Sequence, residues 1–343
     1  MHLPTAPRTI VLAGLFLAAV PPVAAQQSAV DTAQSVTTTQ QLQKPLKPAN
    51  TSGQVPMLYE GELEDLGPQY VLQPQDRPKY FQVMSDLQLY HTNNAALAPG
   101  NKLGTDVTVL TLQAAVQSTT AEWFDGWQTQ ASAGMRYQSY WYGIFSGRNQ
   151  STTQPPSFSA VSDLDFQIYS PFVALNFKKD PWYGALGLRY ASFNNDNAVS
   201  NENFYSEWVP SGTFGYQWNI DSQRILQFQY DGDFRATNTD EKGLHPVGWE
   251  DRTDHSISII YSRILGQNWV IQPSYRLMWS EYTNPDRYRS DIYNTAALMV
   301  AYYFNDNASV RAFTSYEWRS SSEFGNNYES WNLGIGFSLN VSF

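Results

Sequence analysis

The sequence predicts an all-β fold: a transmembrane up-and-down antiparallel β-barrel of about twelve strands, with a disordered N-terminal arm. Three observations carry that prediction. Apolar and polar residues alternate with period two through most of residues 79–343, as half-buried strands require. The links between these segments are alternately turn-sized and long, which is how a chain that threads a membrane up and down is connected. The last segment, "SWNLGIGFSLNVSF" from Ser330 to Phe343, is apolar at every second residue up to a terminal aromatic.

The N-terminus sets the compartment. Arg8 precedes the apolar run "IVLAGLFLAAV" (Ile10 to Val20), and "PPVAA" follows with small residues at Val23 and Ala25. This reads as a secretory signal peptide, residues 1–25, cut after Ala25. The apolar run is about half of the roughly 20 residues that a membrane-spanning helix needs. No later segment is long and apolar enough to be such a helix, so the exported chain is either soluble or held in a membrane as strands.

Residues 26–78 are rich in Gln, Thr, Ser and Pro, as in "TAQSVTTTQQLQKPLKP", and read as a flexible periplasmic linker. Within them "YEGELEDLGPQYVL" (Tyr59 to Leu72) is either a short ordered piece near the barrel base or more linker.

From Lys79 onward the strand segments follow one another. They centre on "YFQVMSDLQLY", "TVLTLQAAVQ", "QTQASAGMRYQSYW", "FQIYSPFVALNF", "YGALGLRYASF" and "WVPSGTFGYQWNI" in the first half of the barrel. "RILQFQYDGDF", "HSISIIYSRIL", "WVIQPSYRLMW", "IYNTAALMVAYYF", "SVRAFTSYEW" and "WNLGIGFSLNVSF" complete it. "KKDP", "IDSQ", "LGQ" and "NDNA" are the short turns, whereas "RATNTDEKGLHPVGWED" and "EYTNPDRYRSD" typify the long polar loops. The stretch "STTAEWFDGWQ" holds either a longer turn or an extra short strand pair.

Alternation assigns faces, because neighbouring strand residues point to opposite sides. In the last strand Trp331, Leu333, Ile335, Phe337, Leu339, Val341 and Phe343 share the side suited to lipid. Asn332, Gly334, Gly336, Ser338, Asn340 and Ser342 share the side suited to a lumen. "WVIQPSYRLMW" splits likewise, Trp269, Ile271, Tyr275, Leu277 and Trp279 opposing Gln272, Ser274 and Arg276. Aromatics such as Tyr302, Phe304 and Trp318 gather toward strand ends, where interfacial girdles sit.

The ending at Phe343 resembles the C-terminal strand signal by which outer-membrane barrel proteins are recognised for insertion. That resemblance implies the barrel-insertion machinery as a partner and the cell outer membrane as the location. The region "RYRSDIYNTAALMVAYYFNDNASVRAFTSYEWRSSSEFGNNYESWNLGIGF" resembles the final hairpins of the beta-barrel porin type 2 family, with an Arg-Ser-Asp entry and Ser-Ser…Tyr spacing before the last strand. The resemblance covers the last hairpins only. It implies passive permeation and carries over no functional residue.

The face assignment places charges of both signs inside. Arg136, Arg189, Asp231, Asp233, Arg276, Arg311 and Glu317 are the expected pore-lining set, with Asp86, Arg235, Asp291 and Arg319 on the same side. Such arginines either line a pore and sort solutes by charge, or pair with the carboxylates and fill the interior. The expected activity is a porin-like channel for passive diffusion of small polar solutes. The alternative is a closed structural or adhesive barrel with functional extracellular loops. Outer-membrane lipids and the small polar solutes complete the expected partners.

Other chemistries fit the residues poorly. Beyond the leader the histidines are His91, His245 and His255. His255 adjoins Ser256 in "DHSIS", but adjacent strand residues face opposite ways, so no Ser–His pair forms and no enzyme is expected. "NNDN" (Asn194 to Asn197) and "NTDEKG" (Asn238 to Gly243) lack the spaced carboxylates of a calcium loop. With no cysteine, thiolate metal sites and disulfides are excluded, and neither cofactor nor metal is expected. A net charge of −10 argues against nucleic acid.

Overall fold

The computed structural model describes residues 79–343 apart from 101, 124, 150–159, 197–202, 239–247 and 324. The expected leader and linker lie outside these residues. Strands β1 (Phe81–Thr92), β2 (Thr105–Gln117), β3 (Ala121–Glu122), β4 (Gln128–Tyr142) and β5 (Phe166–Lys179) come first, with a 3-10 turn, Val161–Leu164, before β5. They are followed by β6 (Trp182–Asn195), β7 (Asn203–Asn219), β8 (Arg224–Thr237) and β9 (Arg252–Leu265). The last four are β10 (Trp269–Tyr282), β11 (Ser290–Tyr303), β12 (Ala308–Ser321) and β13 (Tyr328–Ser342).

Each long strand pairs antiparallel with its sequence neighbours, β2 passes over β3 to pair with β4, and β1 pairs with β13. The sheet therefore closes into a ring of twelve strands, leaving no free edge. β3 is a two-residue ribbon against the start of β4, so "STTAEWFDGWQ" resolves as the extra short pair. The strands run further toward the long loops than the sequence segments suggested. β7 starts at Asn203 and β9 at Arg252, because the polar and aromatic residues at those ends alternate inward as well.

Burial follows the predicted parity. Along β13, Trp331, Leu333, Ile335 and Phe337 are exposed on the outer wall while Ser330 and Asn332 are buried within. β9 repeats it, with Ser256, Ser258 and Ser262 buried and Ile257 and Ile259 exposed. Aromatic pairs form two belts on the outer wall. At the turn end these are Trp182 with Phe214 (5.2 Å) and Trp269 with Tyr302 (5.0 Å); toward the loop end, Tyr190 with Trp208 (5.0 Å) and Tyr316 with Trp331 (5.8 Å). On β10 the belts are marked by Trp269 and Trp279. That spacing is about 34 Å of strand, or about 24 Å of bilayer at a tilt of about 45°.

The short turns are closed by the residues the sequence supplies. Asp221 Oδ1 accepts from the backbone N–H groups of Gln223 and Arg224 (2.8 Å each). Asn305 Oδ1 does the same for Asn307 (2.8 Å) and Ala308 (2.9 Å). Both are the self-bonded turns that short polar side chains favour.

The seam between β1 and β13 depends on two glycines. A Cβ at Gly334 would lie 2.3 Å from Tyr90 Cβ and 2.6 Å from the Leu89 carbonyl oxygen. One at Gly336 would lie 2.7 Å from Arg311 Cζ. The missing side chains let Tyr90 and Arg311 lie across the inner face of the last strand.

Candidate functional site: the barrel interior

All seven charged residues expected to line the lumen lie on inward-facing strand positions: Arg136, Arg189, Asp231, Asp233, Arg276, Arg311 and Glu317. The structure divides them by what they meet. Arg311 and Asp86 form a two-pronged pair, Nη1 donating to Oδ2 (2.7 Å) and Nη2 to Oδ1 (2.8 Å), with both side chains at 0% exposure. Glu317 accepts from the Tyr328 hydroxyl, and Arg319 lies over the same tyrosine ring at 4.5 Å.

Arg189 belongs to a chain of ion pairs that face-reading alone did not resolve. Glu207 lies 3.2 Å from Arg189 and 3.4 Å from Arg235, and Arg235 is 2.7 Å from Asp254, which is 3.0 Å from Arg252. Asp233 reaches Arg235 at 3.8 Å. Three arginines thus meet three carboxylates, and these charges balance. Glu207, Arg252 and Asp254 were missed because they precede the segments first recognised as strands. Their parity with Val209 and with Ser256 was a usable signal.

Arg136, Arg276 and Asp231 complete the seven. Among the described residues, Arg136 and Arg276 have no carboxylate within ion-pair distance. Arg136 Nε donates to Gln113 Oε1 (2.9 Å), and Arg276 reaches Met278 Sδ at 3.5 Å. Asp231 is held by neutral donors: Thr213 (2.8 Å), Gln229 (2.8 Å) and Ser256 (3.3 Å). β4 and β10 lie opposite each other in the ring, so two uncompensated cations face across the waist. Nearby inner positions on β4–β7 are small and half-buried: Ser132, Ala174, Ala185, Gly187 and Ser211.

Toward the loop end the interior is packed with apolar side chains. Tyr140, Tyr142, Phe166, Ile168, Phe193 and Tyr205 are buried together, and Val161 and Leu164 of the 3-10 turn join them. Tyr140 and Phe166 stack at 4.4 Å with 6° between their planes. Full burial contributes on the order of 2 kcal/mol per large apolar side chain, enough to hold the 3-10 turn before β5 in the mouth. Polar anchors flank it in the chain. Asp106 accepts from the backbone N–H of Phe145 and Ser146, and Asp165 accepts from Tyr142 N (2.8 Å) and Arg148. Burial raises the Asp165 carboxyl above its ordinary range; the Tyr142 and Arg148 hydrogen bonds oppose this only in part. Asn94 ties the β1–β2 loop to the Glu329 carbonyl (2.9 Å), with Leu97 packed against Tyr328.

His255 and Ser256 do face opposite ways. Ser256 is buried inside, while His255 Nδ1 shares a 2.7 Å hydrogen bond with the Tyr230 hydroxyl on the outer wall and its ring stacks on Trp279 (5.2 Å). The described residues contain no group of three His, Asp or Glu side chains placed to hold a metal. His245 and most of the "NTDEKG" stretch lie outside them.

No family model matches the chain, the beta-barrel porin type 2 family included, and no curated protein matches it. Solved structures of similar shape are outer-membrane barrels. An outer membrane channel from Pseudomonas putida F1 has 9% identity and a TM-score of 0.47, covering 79% of this chain and 100% of that one. The beta domain of the Bordetella autotransporter BrkA has 14% identity and a TM-score of 0.42, covering 77% and 100%. NanC porin has 12% identity and a TM-score of 0.38, covering 74% and 98%. With its closed wall, exposed apolar band and two aromatic belts, the chain is a β-barrel shaped to span a membrane.

Proposed function

We propose that the barrel is a channel for passive diffusion of small polar solutes, with the charged waist as its constriction. The observation that carries this reading is the pair of uncompensated arginines, Arg136 and Arg276, half-buried on opposite inner walls. A guanidinium enclosed by protein is costly without an anion or water beside it. Keeping two of them where neighbouring side chains are small argues for a wet lane that sorts solutes by charge. The membrane location and the closed cylinder are what such a channel needs.

A closed structural barrel is the second reading. It is favoured by the aromatic packing at the loop end and by the buried Asp86–Arg311 pair. Single-channel recording in planar bilayers separates the two. Discrete conductance steps whose ion selectivity changes in Arg276→Ala support the channel. A silent bilayer, with insertion of the folded barrel verified, decides for the closed barrel.

A further inference from the structure

Arg136 shares with Arg276 the lack of a carboxylate, and its polar surroundings point to a ligand. Its Nε donates to the neutral Gln113 amide (2.9 Å), which orients the guanidinium. Its Nη groups meet no acceptor among the described residues. Arg189 lies near enough for the two cations to repel one another, but Arg189 has Glu207 at 3.2 Å and Arg136 has no such relief.

A second observation comes from the next strand. Ser170 on β5 is the register partner of Arg136. Ser170 is 1% exposed and its Oγ has no hydrogen-bond partner, although its side chain points inward. A buried hydroxyl without a partner carries an unrecovered desolvation cost, and a half-buried cation without a counter-charge carries a larger one. Both deficits occur side by side, and one acceptor-only group would remove both. Below them the Phe172 ring lies against Gly134, where an added Cβ would come within 2.9 Å of Phe172 Cζ. That ring provides an apolar floor.

We infer that Arg136 and Ser170 form a binding site for a carboxylate anion on the inner wall. One carboxylate oxygen accepts from the Arg136 Nη edge and the other from the Ser170 hydroxyl, while the substituent carbon rests on Phe172. The planar fork of a guanidinium matches a carboxylate better than it matches a spherical ion. As a step in transport the site rests on the channel reading and narrows its solutes to small organic acids; as a binding site it stands apart from conduction.

The test uses the full mature chain in detergent micelles at fixed ionic strength, with carbon-13-labelled acetate as the probe and line broadening as the readout. Wild-type barrel is expected to broaden the carboxyl resonance. Arg136→Gln is expected to weaken binding by about ten-fold or more, and Ser170→Ala by several-fold. Both variants must keep the gel mobility shift between unheated and boiled samples. Ser170→Ala removes no charge, so it remains informative if Arg136→Gln does not fold. Absence of broadening by the wild type, or equal broadening by wild type and either folded variant, overturns the site. Reversal potentials in a potassium acetate gradient separate site from channel. Acetate binding through Arg136 without conductance refutes the channel and leaves the site; conductance without acetate broadening refutes the site and leaves the channel.

Discussion

Replacing Asp86 by Asn tests whether the β1–β13 seam is locked by charge. In the wild type Arg311 donates to both carboxylate oxygens, at 2.7 and 2.8 Å, and its Nη1 also donates to Ser338 Oγ (2.7 Å). Neither charged side chain is exposed. The Asp86→Asn side chain would keep one acceptor oxygen but turn an amide N–H2 toward the guanidinium, leaving a buried cation without its counter-charge. Breaking a buried pair on one side costs about 3–5 kcal/mol; the retained oxygen places the expected loss near the lower end, about 3 kcal/mol. Exchanging both partners for apolar residues of similar volume, Asp86→Leu with Arg311→Met, is expected to fall within about 1 kcal/mol of wild type. Urea unfolding in lipid vesicles, followed by tryptophan fluorescence, measures both. If Asp86→Asn stays within about 1 kcal/mol of wild type, or the double variant is as unstable as the single, the charge-lock argument is wrong.

The seam glycines make a second test: Gly334→Ala, whose Cβ would meet the Leu89 carbonyl, is expected to cost about 1–3 kcal/mol in the same assay. Gly212→Ala, with its nearest neighbour Leu186 Cδ2 at 3.7 Å, is expected to stay within about 0.5 kcal/mol. At the mouth, the raised Asp165 carboxyl favours the protonated form when Asp165 is docked against Tyr142 and Arg148. Docking is therefore strongest below the ordinary aspartate value of 3.8 and weakens as pH rises through the raised one. Hydrogen exchange at residues 143–149, corrected for intrinsic rates, should show this trend, and Asp165→Asn should flatten it. Phospholipid hydrolysis by the purified barrel should not exceed the detergent background; robust activity abolished by Ser256→Ala would reinstate an enzymatic reading.

The wall of the barrel was legible because lipid and lumen impose a period of two on every strand, and β13 and β10 carry it with few exceptions. The inward set from Arg136 to Glu317 followed from the same rule. What the rule hides is the loop-end core. Tyr140, Phe166, Phe193 and Tyr205 sit at inward positions, yet an aromatic near a strand end reads as girdle material. Their burial depends on Val161 and Leu164 folding back into the mouth, a long-range event that no local pattern encodes. Pairing was hidden for a similar reason. Whether Arg189 meets Glu207 and Arg136 meets none is set by registers across β4 to β7, whereas parity reports only the face.

Arg311 finds its counter-charge on a strand 225 positions earlier in the chain. Until the first and last strands zip together, Arg311 lacks the carboxylate that neutralises it. An eleven-strand intermediate is thus penalised at its own rim, and completion of the circle is what releases the penalty. Deleting β13 would leave no smaller cylinder to settle into, so assembly is expected to be an all-or-nothing event governed by the arrival of the final strand.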